Sequence, residues 1–219
     1  MRLRLPVRGA LVAVLAVTAC SQGKPALHPF TIPAASPASP PSSGGLPWPA
    51  PRDPLARAVA AGLVPERHET LVNHYHSHLD VFVNGQRVTV PAGLGINIAD
   101  KGVQHGPLPD GSTAYGGISQ CSSPCISLLH THDDTGIIHT ESATPEPNTL
   151  GQLFTEWGVA LSASCIGGFC RPDALGVYVN GALVSGDPAG VQLRDHTEIA
   201  VVIGSPPPTI PSAADFSSA

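Results

Sequence analysis

Polar and apolar residues alternate from His74 to Val83, reading His-Tyr-His-Ser-His-Leu-Asp-Val-Phe-Val, and the run stops at Asn84-Gly85. Alternation of this kind predicts a half-buried strand, because successive side chains point to opposite faces. Asn-Gly tolerates the positive φ angles of a two-residue hairpin turn, so Gln86 to Val90 is expected to return as the partner strand. Ser127 to His132 and Gly136 to Glu141 read as two more strands about an Asp133-Asp134-Thr135-Gly136 turn. Gly176 to Asn180, Ala182 to Val184 and His196 to Ile203 supply the rest. The period becomes helical at two places. Asp53-Pro54 opens a short helix through Ala61, ended by Gly62. Thr149 caps a second helix from about Leu150 to Leu161, with Leu150, Leu153, Phe154, Trp157 and Leu161 on one face. Residues 101–117, rich in Gly and Pro, are expected to form a long surface loop. The fold class that follows is α+β, mainly antiparallel β hairpins with one packed helix.

The pattern also divides the chain. Arg2, Arg4 and Arg8 precede the apolar stretch Ala10 to Val17, which is too short to span a bilayer comfortably and reads as a secretory signal. Val17-Thr18-Ala19-Cys20 resembles the lipobox of bacterial lipoproteins. That resemblance implies cleavage before Cys20, acylation of Cys20 and attachment to membrane lipid on the outer side of the cell membrane. Residues 20–52 are crowded with Pro, Ala and Ser and nearly free of charge, the composition of an extended tether. A single His-rich domain is expected over residues 53–204, followed by a flexible tail at 205–219.

Two sequence segments echo each other. Leu79-Asp80-Val81-Phe82-Val83-Asn84-Gly85 and Leu175-Gly176-Val177-Tyr178-Val179-Asn180-Gly181 are both aromatic-centred strands ending in Asn-Gly, which fits two similar hairpins. The closing pattern, from Val177 through Val191-Gln192-Leu193 to Asp195 and the run ending at Ile203, resembles the second half of β-grasp domains. There a hairpin, a short edge strand and an acidic turn lead into a final central strand.

Charge and cysteine content narrow the function classes. Loss of the three arginines with the signal takes the formal net charge from -5 to -8 and leaves eight scattered Lys and Arg, which argues against nucleic acid as a partner. An exported chain with Cys121, Cys125, Cys165 and Cys170 is expected to form two disulfides. Three connectivities are open, two local loops being preferred to bridges that tie the two segments together. The spacings do not match a thioredoxin-type or zinc-knuckle motif, so structural bridges are expected rather than thiolate chemistry.

The candidate chemistry lies in the histidines. His74, His76 and His78 fall on alternate residues of one strand, and His130 and His132 on alternate residues of another, followed by His139. Residues i and i+2 of a strand share a face about 7 Å apart, close enough for two imidazoles to approach one ion. His76, His78, His130, His132 and His139 are therefore the candidate ligands, with His74, at the strand's start, the weaker one. Asp80, Asp133 and Glu141 suit acceptors that fix ring orientation, although they could equally pair with surface histidines. Imidazole nitrogen points to zinc or copper as the cofactor, whereas calcium or magnesium would want more carboxylates. The only methionine is Met1, which argues against a thioether Cu(I) carrier. His105 and His196 are outlying possibilities.

The combination His74-x-His76-x-His78-Leu-Asp-Val-Phe-Val-Asn-Gly85, Leu129-His-Thr-His-Asp133, Gly136-Ile-Ile-His139 and Thr149 to Phe154 resembles an exported His-rich family of bacterial and archaeal proteins. The likeness covers roughly residues 74–158. It implies a common site and adds no chemistry. Three classes of function stay open: capture or buffering of a transition metal, a histidine-ligated metalloenzyme of hydrolase, carbonic anhydrase or superoxide dismutase type, and a metal-free cell-surface interaction module. No Gly-x-Ser-x-Gly, phosphate loop or dinucleotide fingerprint is present.

Overall fold

A computed structural model describes residues 48–145, 148–171 and 173–217. The signal, Cys20 and residues 20–47 of the expected tether lie outside the described residues. In chain order the elements are α1 (Pro54–Ala60), β1 (Asn73–Val83), β2 (Gln86–Val88), β3 (Gln104–Pro107), β4 (Thr113–Gly116), β5 (Leu129–His130) and β6 (Ile137–Ser142). Then follow α2 (Leu150–Trp157), β7 (Cys165–Ile166), β8 (Phe169–Cys170), β9 (Leu175–Val179), β10 (Ala182–Leu183), a 3-10 turn (Pro188–Gly190) and β11 (Thr197–Ile203). The class is α+β.

The main sheet is organised around β1. On one side β11 runs parallel to it from the Ser77–Thr197 pair to the Val83–Ile203 pair. The other side is divided: β6 pairs antiparallel with residues 73–78, and β2 with residues 81–83. The sheet then continues outward as β11-β9-β10 in one direction and β6-β5 in the other. Because facing residues in a ladder share a face, register separates the sheet into two surfaces. Leu79, Val81, Val83, Ile138, Val177, Val201 and Ile203 point to the core with Leu150, Leu153, Phe154 and Trp157 of α2. His74, His76 and His78 point the other way.

Helix α2 starts as expected, with Thr149 N donating to Gln152 Oε1 and Gln152 N to Thr149 Oγ1. It stops at Gly158, whose φ of 75° is left-handed, and so ends before the expected Leu161. Both Asn-Gly pairs have two positive φ angles, 50° and 77° at Asn84-Gly85 and 49° and 79° at Asn180-Gly181, the signature of type I′ turns. Asn84 N donates to Ile203 O and Asn180 N to Glu198 O, so the two echoing hairpins grip β11 toward opposite ends.

Several expectations are corrected. The segment 101–117 is not an unstructured loop: it contains the β3–β4 hairpin, whose turn is held by Asp110 Oδ1 accepting from Ser112 N and Oγ. Only Leu129–His130 of the expected strand 127–132 joins the sheet. Ser127 N instead donates to Gly95 O, and Thr131 bonds the Pro91–Leu94 stretch through its hydroxyl and backbone. The folded part reaches back to Trp48, before the expected start at Asp53. Trp48 is buried edge-on to Trp157 at 5.8 Å and donates its indole N–H to Gly167 O. The C-terminal segment, expected to be flexible, lies along the domain, with Pro207 buried and the Phe216 ring 4.8 Å from that of His196.

Both disulfides are local, Cys121–Cys125 and Cys165–Cys170. The first belongs to a small second core with Ile96, Val103, Ile118 and Ile126, against which Tyr115 of β4 packs. This core supports the β3–β4 hairpin over the polar face of the sheet. Among the described residues, no helix is long and apolar enough to cross a membrane.

Candidate metal centre

Register brings the two histidine motifs together. His74 faces Glu141 and His76 faces His139 across β1 and β6, while His130 faces His139 across β5 and β6. His132, two residues past His130, completes the group with its ring centroid 4.3 Å from that of His139. His76 Nε2 lies 2.9 Å from His74 Nε2 and 3.1 Å from His139 Nδ1. Glu141 Oε1 lies 3.4 Å from His74 Nε2, 3.7 Å from His130 Nε2 and 3.9 Å from His139 Nδ1. Donors bonded to one ion at zinc distances of about 2.0–2.1 Å stand roughly 3–4 Å apart, which is the range found here.

Two groupings built on His139 come near that geometry. One ligand atom each from His130, His132, His139 and Glu141 lies within 4.8 Å of the others, and the same holds for His74, His76 and His139. Glu141, expected as an outer acceptor, therefore stands among the donors.

Backbone carbonyls set the ring orientation of two members. His130 Nδ1 is 2.9 Å from Ser127 O, and His132 Nδ1 is within hydrogen-bond distance of Tyr115 O. A carbonyl can only accept, so each Nδ1 carries the proton and each Nε2 presents a lone pair, the tautomer a metal requires. The Tyr115 contact explains why the hairpin matters to the site: it fixes His132 from above the sheet.

Burial decides the charge state. Burial, and next the neighbouring His132, holds His130 well below the ordinary imidazole range. His139 is lowered by burial and then by His130, and His76 by burial and then by His74. These rings are neutral at physiological pH and their lone pairs are free of protons. The Glu141 carboxyl is pushed up to about 7 by burial and then by Glu69. Among buried polar atoms, His130 Nε2 and Glu141 Oε2 have no hydrogen-bond partner.

Beside the cluster lies a cleft of about 610 Å³ bordered by His74, His105, Tyr115, His132, His139 and Glu141. His105 reaches this wall although it stands apart from the donor groups. His196 is exposed and outside the cluster, in a left-handed turn.

The remaining expected site residues are placed elsewhere. His78 shares the face of His76 but turns to β11, with Nδ1 2.7 Å from Glu198 Oε2 and Nε2 3.0 Å from Thr135 O. Asp80 pairs with Arg87. Asp133 closes its own turn, accepting from Thr135 N at 2.9 Å, and orients no ring. Gly136, at φ 95°, lets that turn approach β1: a Cβ there would stand 2.6 Å from Leu79 O and 3.0 Å from His78 Nε2. Sequence reasoning missed Glu198, which only the parallel pairing of β11 with β1 brings to His78. It also missed the carbonyls of Ser127 and Tyr115, which leave no mark in residue type.

Comparison with protein-family models, curated proteins and solved structures returns no match. Neither the exported His-rich likeness nor the β-grasp likeness gains support from them.

Proposed function

We propose that this chain is an exported, lipid-anchored protein that captures and buffers a transition metal, zinc or copper, at its histidine cluster. One observation carries the reading: His130 Nε2 is buried without a hydrogen-bond partner where His130, His132, His139 and Glu141 converge, and the second oxygen of Glu141, Oε2, is likewise buried and unpartnered. Leaving a buried polar group unpaired costs about 1–3 kcal/mol, and a bound cation removes that cost at His130 Nε2, and at Glu141 Oε2 as well where the carboxylate binds through both oxygens. Neutral imidazoles with preset tautomers suit zinc and copper better than the oxygen-seeking calcium and magnesium. The lipobox-like Cys20 and the two disulfides are in keeping with an extracytoplasmic location.

Elemental analysis of the mature protein, purified without a histidine tag, tests this. The expected result is at least one equivalent of zinc or copper retained through gel filtration. Protein that stays metal-free after incubation with either ion overturns the reading. The cleft beside the cluster favours a second reading, a metalloenzyme in which one coordination position faces substrate or water. A water exchangeable at the bound metal, seen by relaxation of solvent protons on a copper-loaded sample, distinguishes it from closed storage.

A further inference from the structure

We infer that His78, Asp80 and Glu198 form a second cation site, separate from the cluster around His139. Their ligand atoms lie within 4.8 Å of one another, and all three residues are buried. The placement follows from register: His78 and Glu198 face each other across β1 and β11, and Asp80 is two residues further on the same face of β1. None of the three belongs to the groupings around His139.

The chemistry at His78 calls for a cation. Its Nε2 faces the Thr135 carbonyl at 3.0 Å, so Nε2 carries a hydrogen. In a neutral ring Nδ1 is then a lone pair, directed at the Glu198 carboxylate only 2.7 Å away. Two lone pairs cannot face each other at that distance: a proton joins them in the contact as it stands, and a metal ion taking the place of that proton would hold the two donors roughly 3–4 Å apart. A proton satisfies Nδ1 and Oε2 but leaves Glu198 Oε1, which is buried and has no hydrogen-bond partner. A divalent ion held by Nδ1, Glu198 and Asp80 answers both needs, and its charge offsets two carboxylates that Arg87 alone balances only by half. Entry is open through a cavity of about 340 Å³ bordered by His78, Asp80, Arg87, Thr135 and Asp215 of the C-terminal segment. One imidazole with two carboxylates is a mixed nitrogen and oxygen set, suited to zinc or manganese rather than to Cu(I).

Zinc stoichiometry tests the site. Mature protein is equilibrated with excess zinc, passed through gel filtration and assayed for zinc per chain, alongside Glu198→Gln. The expected result is a loss of one equivalent in E198Q, since an amide is a far poorer ligand than a carboxylate, with the zinc held by the His139 cluster unchanged. Equal zinc in E198Q and the parent overturns the proposal and identifies the bridging cation as a proton. If E198Q does not fold, H76A/H130A/H139A gives the same decision, because it disables both groupings around His139 and leaves the His78 neighbourhood intact. One zinc equivalent should remain in that variant, and none overturns the proposal. A parent that binds a single zinc lost in E198Q but kept in H76A/H130A/H139A supports this site while refuting the histidine-cluster reading, so the two fail separately.

Discussion

Glu156 is fully buried on the inner face of α2, and its carboxyl has no close hydrogen-bond partner, the Ser127 side chain giving it only weak support. Burial pushes its carboxyl up to about 8 from an ordinary 4.5, and the Ser127 side chain offsets this only in part. The consequence for stability has a definite sign. Below pH 4.5 the carboxyl is neutral in both the folded and unfolded chain, and there is no penalty. Between 4.5 and 8 the unfolded chain releases the proton while the folded chain keeps it, so stability falls as pH rises, and above 8 the loss is complete. At about 1.4 kcal/mol per pH unit the full loss is roughly 5 kcal/mol, a large part of the 5–15 kcal/mol that holds a typical domain folded. Glu156→Gln keeps the shape and removes the charge. Urea unfolding of metal-free parent and E156Q at pH 4.5, 6.5 and 8.5 reads the difference. The variant should be level with or slightly less stable than the parent at pH 4.5 and several kcal/mol more stable at pH 8.5. His130, His139 and His76, all lowered in the fold, destabilise both proteins alike as pH drops below 6.5, and cancel. A stability difference between the two proteins that does not change with pH refutes the reasoning, because it means that Glu156 is solvated or already paired.

Replacing His130 and His132 together by Ala should remove the share of the zinc-induced thermal stabilisation that the cluster supplies, which for a native-state ligand at about 100 times its Kd amounts to ~2.7 kcal/mol, while leaving the melting of the metal-free protein cooperative; an undiminished zinc shift in scanning calorimetry counts against the cluster. Removing either disulfide by Cys→Ser pairs should cost about 2 kcal/mol, the loop-closure figure for a four- or five-residue separation, read by denaturant midpoint. Cys20→Ser should shift the protein from the detergent phase to the aqueous phase on Triton X-114 partitioning, and unchanged partitioning refutes lipid anchoring.

The periodic parts of the fold were legible in the sequence. β1, β6, β9, β11 and both Asn-Gly turns follow from alternation and turn chemistry, which are local. The meeting of His76 with His139 was legible for the same reason, since each motif fixes its own face and a single sheet has only two. What stayed hidden is non-local. Nothing near Glu198 announces that β11 runs parallel to β1, so the pull of that residue on His78 is invisible until the strands are paired. The β3–β4 hairpin was obscured by its Gly and Pro content, and its stability depends on a small disulfide-bearing core whose members are scattered from Ile96 to Ile126. The burial of Glu156 left no signal in the sequence, because a charged residue on an amphipathic helix is normally solvent-facing.

Strand β1 carries eleven residues in one unbroken extended run, histidines in its first half and core aliphatics in its second. Leu79, Val81 and Val83 thereby act as a phase lock for His74, His76 and His78: the hydrophobic half can seat in only one of two parities, and that choice dictates where the imidazoles emerge. Inserting or deleting one residue between Ser77 and Leu79 would uncouple the halves, and the chain would have to bury its histidines or expose its aliphatics. Donor geometry and folding are thus inherited together at this strand, whereas the cleft wall, built from a separate hairpin, is free to be remodelled without moving a single ligand on β1.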